Sequence, residues 1–65
     1  MAFREFRVKH HKTQAELADM LGMSRTQVAR VELGLRGTTK AALLLLERLD
    51  RELSEARKAD DAATG

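Results

Sequence analysis

The sequence predicts a small all-α domain of four helices, the last of them long. Three observations support this fold class. The 65 residues contain no proline that would interrupt a helix. Apolar residues recur three and four positions apart in several segments, as they do on one face of a helix. Two segments begin with a capping-box motif, in which Ser or Thr is followed three residues later by Glu or Gln.

Composition limits the range of structures and functions. A chain of 65 residues forms one domain, and a domain of this size is only marginally stable alone, so dimerisation would help it. The chain has no cysteine, which excludes disulfides and thiolate metal sites and fits a reducing cytoplasm. No apolar run approaches the ~20 residues that span a membrane, and the first residues lack a signal-peptide core. We therefore expect a bacterial cytoplasmic protein with no cofactor.

The net charge of +2 is unevenly distributed along the chain. Residues 1–40 carry eight Lys or Arg against four acids, whereas residues 41–65 carry four against six. A basic half of this kind suits a polyanionic partner. The alternative interpretation is an ordinary solvated surface.

The first helix is predicted over residues 2–11. Phe3 and Phe6 would share a face and fill the core, with Val8 or His10 at its edge. His10 and His11 are adjacent and point about 100° apart on a helix, so they cannot both bind one metal ion from that face. We expect surface histidines rather than a metal site.

The second helix is predicted over Gln14–Leu21. Thr13 and Glu16 form its capping box, and Gly22 supplies the left-handed residue that ends it. Its apolar positions form one stripe, in which the small side chain of Ala18 permits a close helix crossing. That stripe consists of Ala15, Leu17, Ala18 and Leu21.

The third helix is predicted over Arg25–Leu33, with a capping box formed by Ser24 and Gln27 and an end at Gly34. Val28 and Val31 would face the core. Its other positions carry hydrogen-bonding side chains suited to base edges and phosphates. Two short helices joined by a tight turn form a helix-turn-helix unit over residues 13–34. This arrangement suggests that the third helix enters the major groove of DNA.

The fourth helix is predicted over residues 39–56, capped by Thr38 or Thr39. Leucines cover more of it than one small core needs. Either its C-terminal part binds a second copy, or the whole helix packs within the monomer; we favour the first. The expected dimerisation residues are Leu45, Leu49 and Leu53. The globular domain is placed at residues 1–56, followed by a flexible polar tail at 57–65.

The pattern resembles the lambda-repressor-like family of helix-turn-helix domains, also called the Cro/cI or Xre type. The residues that carry this resemblance are Gln14, Leu17, Ala18, Gly22, Val28, Val31, Glu32 and Gly34. The single long helix after Gly37 departs from the usual pair of short helices. It is similar to that of small mobile-element regulators or of antidote proteins in toxin–antitoxin pairs.

The resemblance implies a role for each matching position. Arg7 and Glu32 would form a buried pair joining the first helix to the third. Base-reading positions would be Ser24, Arg25, Thr26, Gln27 and Arg30. Arg25 and Arg30 lie about 140° apart around the helix, so Arg25 is expected to be the stronger base reader. Phosphate contacts are expected from Lys9, Lys12, Gln14, Arg36, Thr38 and Lys40.

These observations lead to one principal function and one alternative. The principal function is a homodimeric, autoregulating repressor that binds double-stranded DNA at a palindromic operator. A phage or plasmid origin, including the small repressors that accompany anti-CRISPR genes, is a hypothesis that rests on size and resemblance. The alternative is an antitoxin or interaction module that binds a protein through its leucine-rich helix. No catalytic constellation appears in the sequence, so we expect neither an enzyme nor a small-molecule substrate.

Overall fold

The computed structural model describes the backbone of residues 1–64 and the side chains of residues 1–57. This part of the chain forms four helices and no strand, which confirms the all-α prediction. The helices are α1 (Phe3–His10), α2 (Gln14–Leu21), α3 (Arg25–Glu32) and α4 (Lys40–Thr64). The bounds of α2 agree with the prediction, and α3 ends one residue earlier than predicted.

Both predicted capping boxes are present at the starts of α2 and α3. The Thr13 hydroxyl accepts the Glu16 amide hydrogen at 3.1 Å, and the Glu16 carboxylate accepts that of Thr13 at 3.0 Å. These hydrogen bonds hold the pKa of Glu16 below its ordinary value, the bond to the Thr13 backbone contributing most. Each box satisfies amide groups that would otherwise lack partners and fixes where its helix begins.

Left-handed residues separate the first three helices. Gly22 ends α2 with φ 69°, and Gly34 follows α3 with φ 76°, as predicted. His11 ends α1 with φ 54°, although it carries a side chain. This conformation costs about 1–2 kcal/mol in a residue with a Cβ atom. The turn between α2 and α3 therefore has the residue type that it requires, whereas the turn after α1 is strained.

One small core joins the four helices. Its buried side chains come from α1, α2, α3 and α4, and the predicted core positions Phe3, Phe6, Leu17 and Val28 are confirmed among them. Ala18 is 3% exposed, in keeping with a close crossing between α2 and α3. Val31 is half-buried and packs against this core. The complete set of buried apolar residues is Phe3, Phe6, Leu17, Ala18, Val28 and Leu46.

The leucines of α4 are mostly used inside the monomer. Leu46 is fully buried, and Leu49 and Leu53 are partly buried against the same core. Leu49 and Leu53 therefore pack in part within the monomer, and the role predicted for these leucines in binding a second copy stays a prediction. Leu45 is half-buried beside the end of α2. Two leucines near the start of α4 are exposed, Leu43 at 37% and Leu44 at 56%.

The fourth helix extends further than predicted. It begins at Lys40 after Thr39, whose hydroxyl accepts the amide hydrogen of Ala42 at 3.1 Å. Its backbone is helical to Thr64, where we expected a flexible tail from residue 57; Gly65 lies outside the described residues. The segment contains no proline or glycine before Gly65 and is rich in alanine and charged helix formers. It therefore lacks a signal that would stop the helix at Ala56.

His10 is buried, which corrects the expectation of a surface histidine. Its side chain is 1% exposed, and its ring lies 4.6 Å from that of Phe6. The His10 Nε2 atom lies 2.7 Å from a carboxylate oxygen of Asp50 on α4, and this contact is the main cause of the lowered pKa of Asp50. Lys9 also lies 2.9 Å from Asp50. The three residues fix the end of α1 against the middle of α4.

The length of α4 does not make it a membrane segment. Within residues 1–64, no helix combines the length and apolar character that crossing a membrane requires.

Candidate nucleic-acid interface

The N-terminal half of α3 presents an exposed polar arc. Arg25, Thr26 and Arg30 are exposed, and neither arginine forms an ion pair within residues 1–57. On the opposite side of the helix, Val28 is fully buried and anchors α3 to the core. A helix held in this way keeps its cationic and hydroxyl groups available to an external ligand. Such groups can bind base edges and phosphates.

Two of the predicted base-reading residues also stabilise the helix start. The Ser24 hydroxyl accepts the Gln27 amide hydrogen at 3.1 Å, and the Gln27 side-chain oxygen accepts that of Ser24 at 2.9 Å. The amide nitrogen of the Gln27 side chain and the hydroxyl hydrogen of Ser24 are not used in these bonds. Both residues can therefore donate to an acceptor on a base or a phosphate without leaving the capping box.

A first groove lies on one side of the arc. Its volume is about 520 Å³, and it brings Lys12, Gln14 and Arg25 together although they come from different segments. Arg7 and Thr13 complete its polar wall. The groove joins the start of α2 to the start of α3, where free backbone amides and positive helix dipoles favour anions. It suits a phosphate next to a contacted base.

A second groove of about 400 Å³ lies on the other side of α3. Gln27 of α3 and Arg36 of the following loop both line it, with Thr38 and Thr39 just before α4. The hydroxyl of Thr38 is buried and has no hydrogen-bond partner within the described part, so it does not face the groove opening. Thr39 rather than Thr38 caps α4. The predicted phosphate contact of Thr38 is therefore the weakest of this group.

The remaining predicted cations are placed differently from one another. Lys40 is exposed as the first residue of α4, next to the second groove. Lys9 lines neither of the two grooves, and its ammonium group is directed to Asp50 at 2.9 Å. The sequence alone could not separate these two lysines, because the partner of Lys9 lies 41 positions later in the chain. The structure gives no support to a phosphate role for Lys9.

A bidentate ion pair between α1 and α3 holds the interface helix in position. The Arg7 guanidinium donates through Nε and Nη2 to the two carboxylate oxygens of Glu32, at 2.7 and 2.6 Å. The pair joins α1 to the last residue of α3, and the Glu32 side chain is only 9% exposed. The hydrogen bond from Arg7 holds the pKa of Glu32 below its ordinary value, and burial partly opposes this effect. Such fork-shaped pairs fix orientation as well as distance.

Two features were missed by the sequence analysis. The contact between His10 and Asp50 positions α1, yet a histidine followed forty residues later by an aspartate carries no local signal. Arg4 is exposed at the junction of three surface grooves, and nothing in its immediate sequence distinguishes it from other surface arginines. Within the described residues, no group of three or more His, Cys, Asp or Glu side chains could hold a metal ion.

Comparison with known protein families agrees with this geometry. A family model described as helix-turn-helix, of the Cro/C1 type, matches residues 3–56. The chain belongs to the Cro/C1-type helix-turn-helix family. No curated protein and no solved structure gave a match. The match includes all of α1, α2 and α3 and the part of α4 that packs on the core.

Family membership assigns the general function of this helix-turn-helix protein. It is a DNA-binding transcription regulator, and its family is a regulatory rather than an enzymatic one. Its partner is double-stranded DNA. In such domains, the second helix of the motif enters the major groove by its N-terminal residues. In this chain that helix is α3, whose start lies between the two polar grooves.

Proposed function

We propose that the protein is a homodimeric repressor that reads an inverted-repeat operator with the helix from Ser24 to Leu33. The observation that carries this proposal is the unpaired, exposed arc of Arg25, Thr26 and Arg30 between two polar grooves. The arc offers base-reading groups, and the grooves offer places for the phosphates on either side. Protein docks usually expose apolar residues at such positions, and this arc exposes none.

The residue roles follow from this arrangement. Arg25 has the position and donor geometry for a bidentate contact with guanine. Arg30, farther around the helix, reaches a flanking base or a phosphate. Ser24, Thr26 and Gln27 add hydrogen bonds within the groove. Sequence-independent contacts are assigned to Lys12, Gln14, Arg36 and Lys40.

The Arg25→Ala variant tests base reading. We expect its affinity for the selected operator to fall by ~1–3 kcal/mol, while its affinity for random DNA changes little. The operator can first be selected from a random duplex library, and binding can then be measured by fluorescence anisotropy. Arg51→Ala is the matched control, because Arg51 is an exposed arginine on α4. Equal losses on operator and random DNA would contradict base reading by Arg25.

The proposal also covers the form of the operator and the origin of the protein. Two recognition helices related by a twofold axis would contact half-sites about 34 Å apart. An inverted repeat over the promoter upstream of the gene would support autoregulation. A neighbouring set of phage or anti-CRISPR genes would support the hypothesis of a mobile-element regulator. DNA binding of this kind also implies association with the bacterial nucleoid in the cytoplasm.

A second candidate function has one structural observation in its favour. Leu33 and Leu35 are 72% and 74% exposed, next to the recognition helix. Such leucines suit a protein partner, as expected of an antitoxin. Co-expression with the product of a neighbouring gene, followed by sedimentation of the purified mixture, would test this function. A protein that binds its operator fully and forms no complex with that product would exclude the antitoxin interpretation.

A further inference from the structure

An apolar surface surrounds Arg4. Arg4 lines three adjoining grooves, which also contain several of the most exposed apolar side chains of the chain. One groove runs along α1, one reaches the end of α3, and one lies between α1 and the start of α4. We call this region the Arg4 surface and define it by Met1, Val8, Leu33 and Leu43 around Arg4.

The Arg4 surface has the composition of an interface. Val8 and Leu33 are 68% and 72% exposed, and Met1 and Leu43 are 39% and 37% exposed. The groove between α1 and α4 has a volume of about 240 Å³, with Ala2, Phe3 and Val31 among its lining residues. Apolar residues around a central arginine are typical of binding hot spots. Leu49 and Leu53, which the sequence predicted at a dimer contact, are partly buried against the core.

The charges next to this surface indicate what covers it. Glu47 lies one turn after Leu43 on α4 and is exposed. Neither Arg4 nor Glu47 forms an ion pair within residues 1–57. Glu5, which lines the groove along α1 with Arg4, is also exposed and forms no ion pair within these residues. The surface and its border therefore carry one cation and two anions without ion-pair partners in the described side chains. Charges of both signs make such a surface complementary to itself, so a second copy related by a twofold axis can pair each arginine with a glutamate of the other copy.

We propose that a second copy of this chain covers the Arg4 surface. Leu43 lies at the twofold axis and packs on its equivalent, and Arg4 of each copy pairs with Glu47 of the other. The proposal rests on the proposed function, because it supplies the dimer that an inverted repeat requires. Val31 and Glu32, at the end of α3, line the groove at this interface. The contact therefore sets the spacing of the two recognition helices directly.

Charge reversal tests this pairing without DNA. Sedimentation equilibrium gives the dimer dissociation constant of the wild-type protein and of the variants. We expect Arg4→Glu and Glu47→Arg each to raise it about tenfold or more, because each places like charges face to face. The double variant Arg4→Glu/Glu47→Arg exchanges the two charges and should return the constant close to the wild-type value. Rescue of this kind is not expected of two residues that merely stabilise the fold.

Arg51→Glu is the matched control, since Arg51 is an exposed cation on α4 outside the Arg4 surface. It should leave the dimer constant unchanged, and a loss of dimer in this variant would move the interface to the outer face of α4. A monomeric wild-type protein would overturn the proposal. A double variant that circular dichroism shows to be folded, but that remains monomeric, would also overturn the proposal. If Arg4→Glu alone fails to fold, Glu47→Arg decides, because Glu47 is exposed and has no partner to lose.

A duplex with a single half-site separates this proposal from the proposed function. The Glu47→Arg variant should bind that duplex as the wild-type monomer does, because Glu47 lies on α4 and lines neither groove beside α3. It should lose the additional affinity that the complete inverted repeat gives. Wild-type protein that forms the expected dimer but does not distinguish the half-site from random DNA would contradict base reading, and would leave the Arg4 interface standing.

Discussion

The pair of Arg7 and Glu32 shows how single residues determine the orientation of α3. Glu32 is the last residue of α3, and its carboxylate is held by two short hydrogen bonds from α1. A small rotation of α3 would break this fork geometry. The pair therefore fixes the angle of α3, and its first measurable effect is on stability.

The Glu32→Gln variant should lower the free energy of unfolding by ~1.5–3 kcal/mol at pH 7, as expected for the loss of hydrogen bonds to a charged group. Urea unfolding followed by circular dichroism measures this change. Glu55→Gln is the control, because Glu55 is exposed and makes no ion pair within residues 1–57. Equal, small effects of both substitutions would show that the Arg7 pair contributes little.

The same pair makes stability depend on pH in a defined direction. The pKa of Glu32 is lower in the folded protein, chiefly because Arg7 donates to its carboxylate. Its contribution is fully present above the unfolded value of about 4.3 and is lost as the pH falls through the lower folded value. Asp50 and Glu16 also have lowered pKa values and act in the same range. Glu32→Gln should therefore show a shallower loss of stability between pH 5 and 3 than the wild-type protein, roughly the range expected for carboxyl groups.

The strained turn after α1 offers a stabilising substitution. His11 has φ 54°, and glycine adopts this conformation without steric cost. His11→Gly should raise the free energy of unfolding by up to about 1 kcal/mol, since the greater freedom of glycine in the unfolded chain offsets part of the gain. His11→Ala keeps the Cβ atom and should change stability little. A destabilised glycine variant would show that the His11 side chain makes a contribution that outweighs its strain.

Among the helices, α4 mainly completes the hydrophobic core. Leu46, Leu49 and Leu53 follow one another at spacings of three and four. Leu46 belongs to the core and the other two pack against it, where α4 meets α1 and α2. Asp50 lies beside this face and receives His10 and Lys9. The helix thus combines an apolar contact with a polar contact that fixes its register against α1.

Leu53→Ala measures how far this packing extends along α4. Leu53 is only partly buried, so we expect a loss of ~1–2 kcal/mol, below the cost of truncating a fully buried leucine. Leu44→Ala, on the exposed face, should stay within ~0.5 kcal/mol. The free energy of unfolding is measured in urea at a low protein concentration, so that dimer formation does not contribute to it. A larger loss for Leu44 than for Leu53 would mean that α4 packs through its other face.

The elements differ in how far sequence could predict them. The starts of α2 and α3 were predicted because each depends on two residues three positions apart, Thr13 with Glu16 and Ser24 with Gln27. The end of α4 was not predicted, since polar composition alone does not stop a helix. The partial burial of Leu49 and Leu53 against the core was not predicted either, because periodicity shows that two residues share a face without showing what covers that face.

The candidate functional residues also differ in how far the sequence could predict their positions. Exposure of Arg25 and Arg30 could be predicted from the position of Val28 on the opposite face of the helix. The pairing of Lys9 with Asp50 and the burial of His10 depend on how α1 and α4 meet. No local pattern contains that information. The sequence could thus predict that α3 exposes Arg25, Thr26 and Arg30, whereas the different surroundings of the other cations required the tertiary structure.

In the whole molecule, part of the excess positive charge of residues 1–40 lies on one surface, beside α3. Lys12, Arg25 and Arg36 come from separate segments, and the fold places them along the two grooves beside α3. Lys9 belongs to the same basic half of the sequence, yet it is turned towards α4. The salt dependence of DNA binding can distinguish a cation that contacts a phosphate from one that does not, because each neutralised phosphate releases counterions from DNA.

Arg36→Ala should reduce the slope of log affinity against log salt concentration by about 0.9 for each phosphate that the variant no longer neutralises, on random DNA as well as on the operator. Lys9→Ala should leave this slope unchanged, because the Lys9 ammonium group is held by Asp50 and lines neither groove. Both slopes are measured by anisotropy titrations across a series of salt concentrations. The two substitutions remove the same charge, so overall electrostatics predicts equal effects, whereas the geometry predicts an effect for Arg36 alone. A reduced slope for Lys9→Ala would place α1 against the DNA backbone and would require a different docking of the domain.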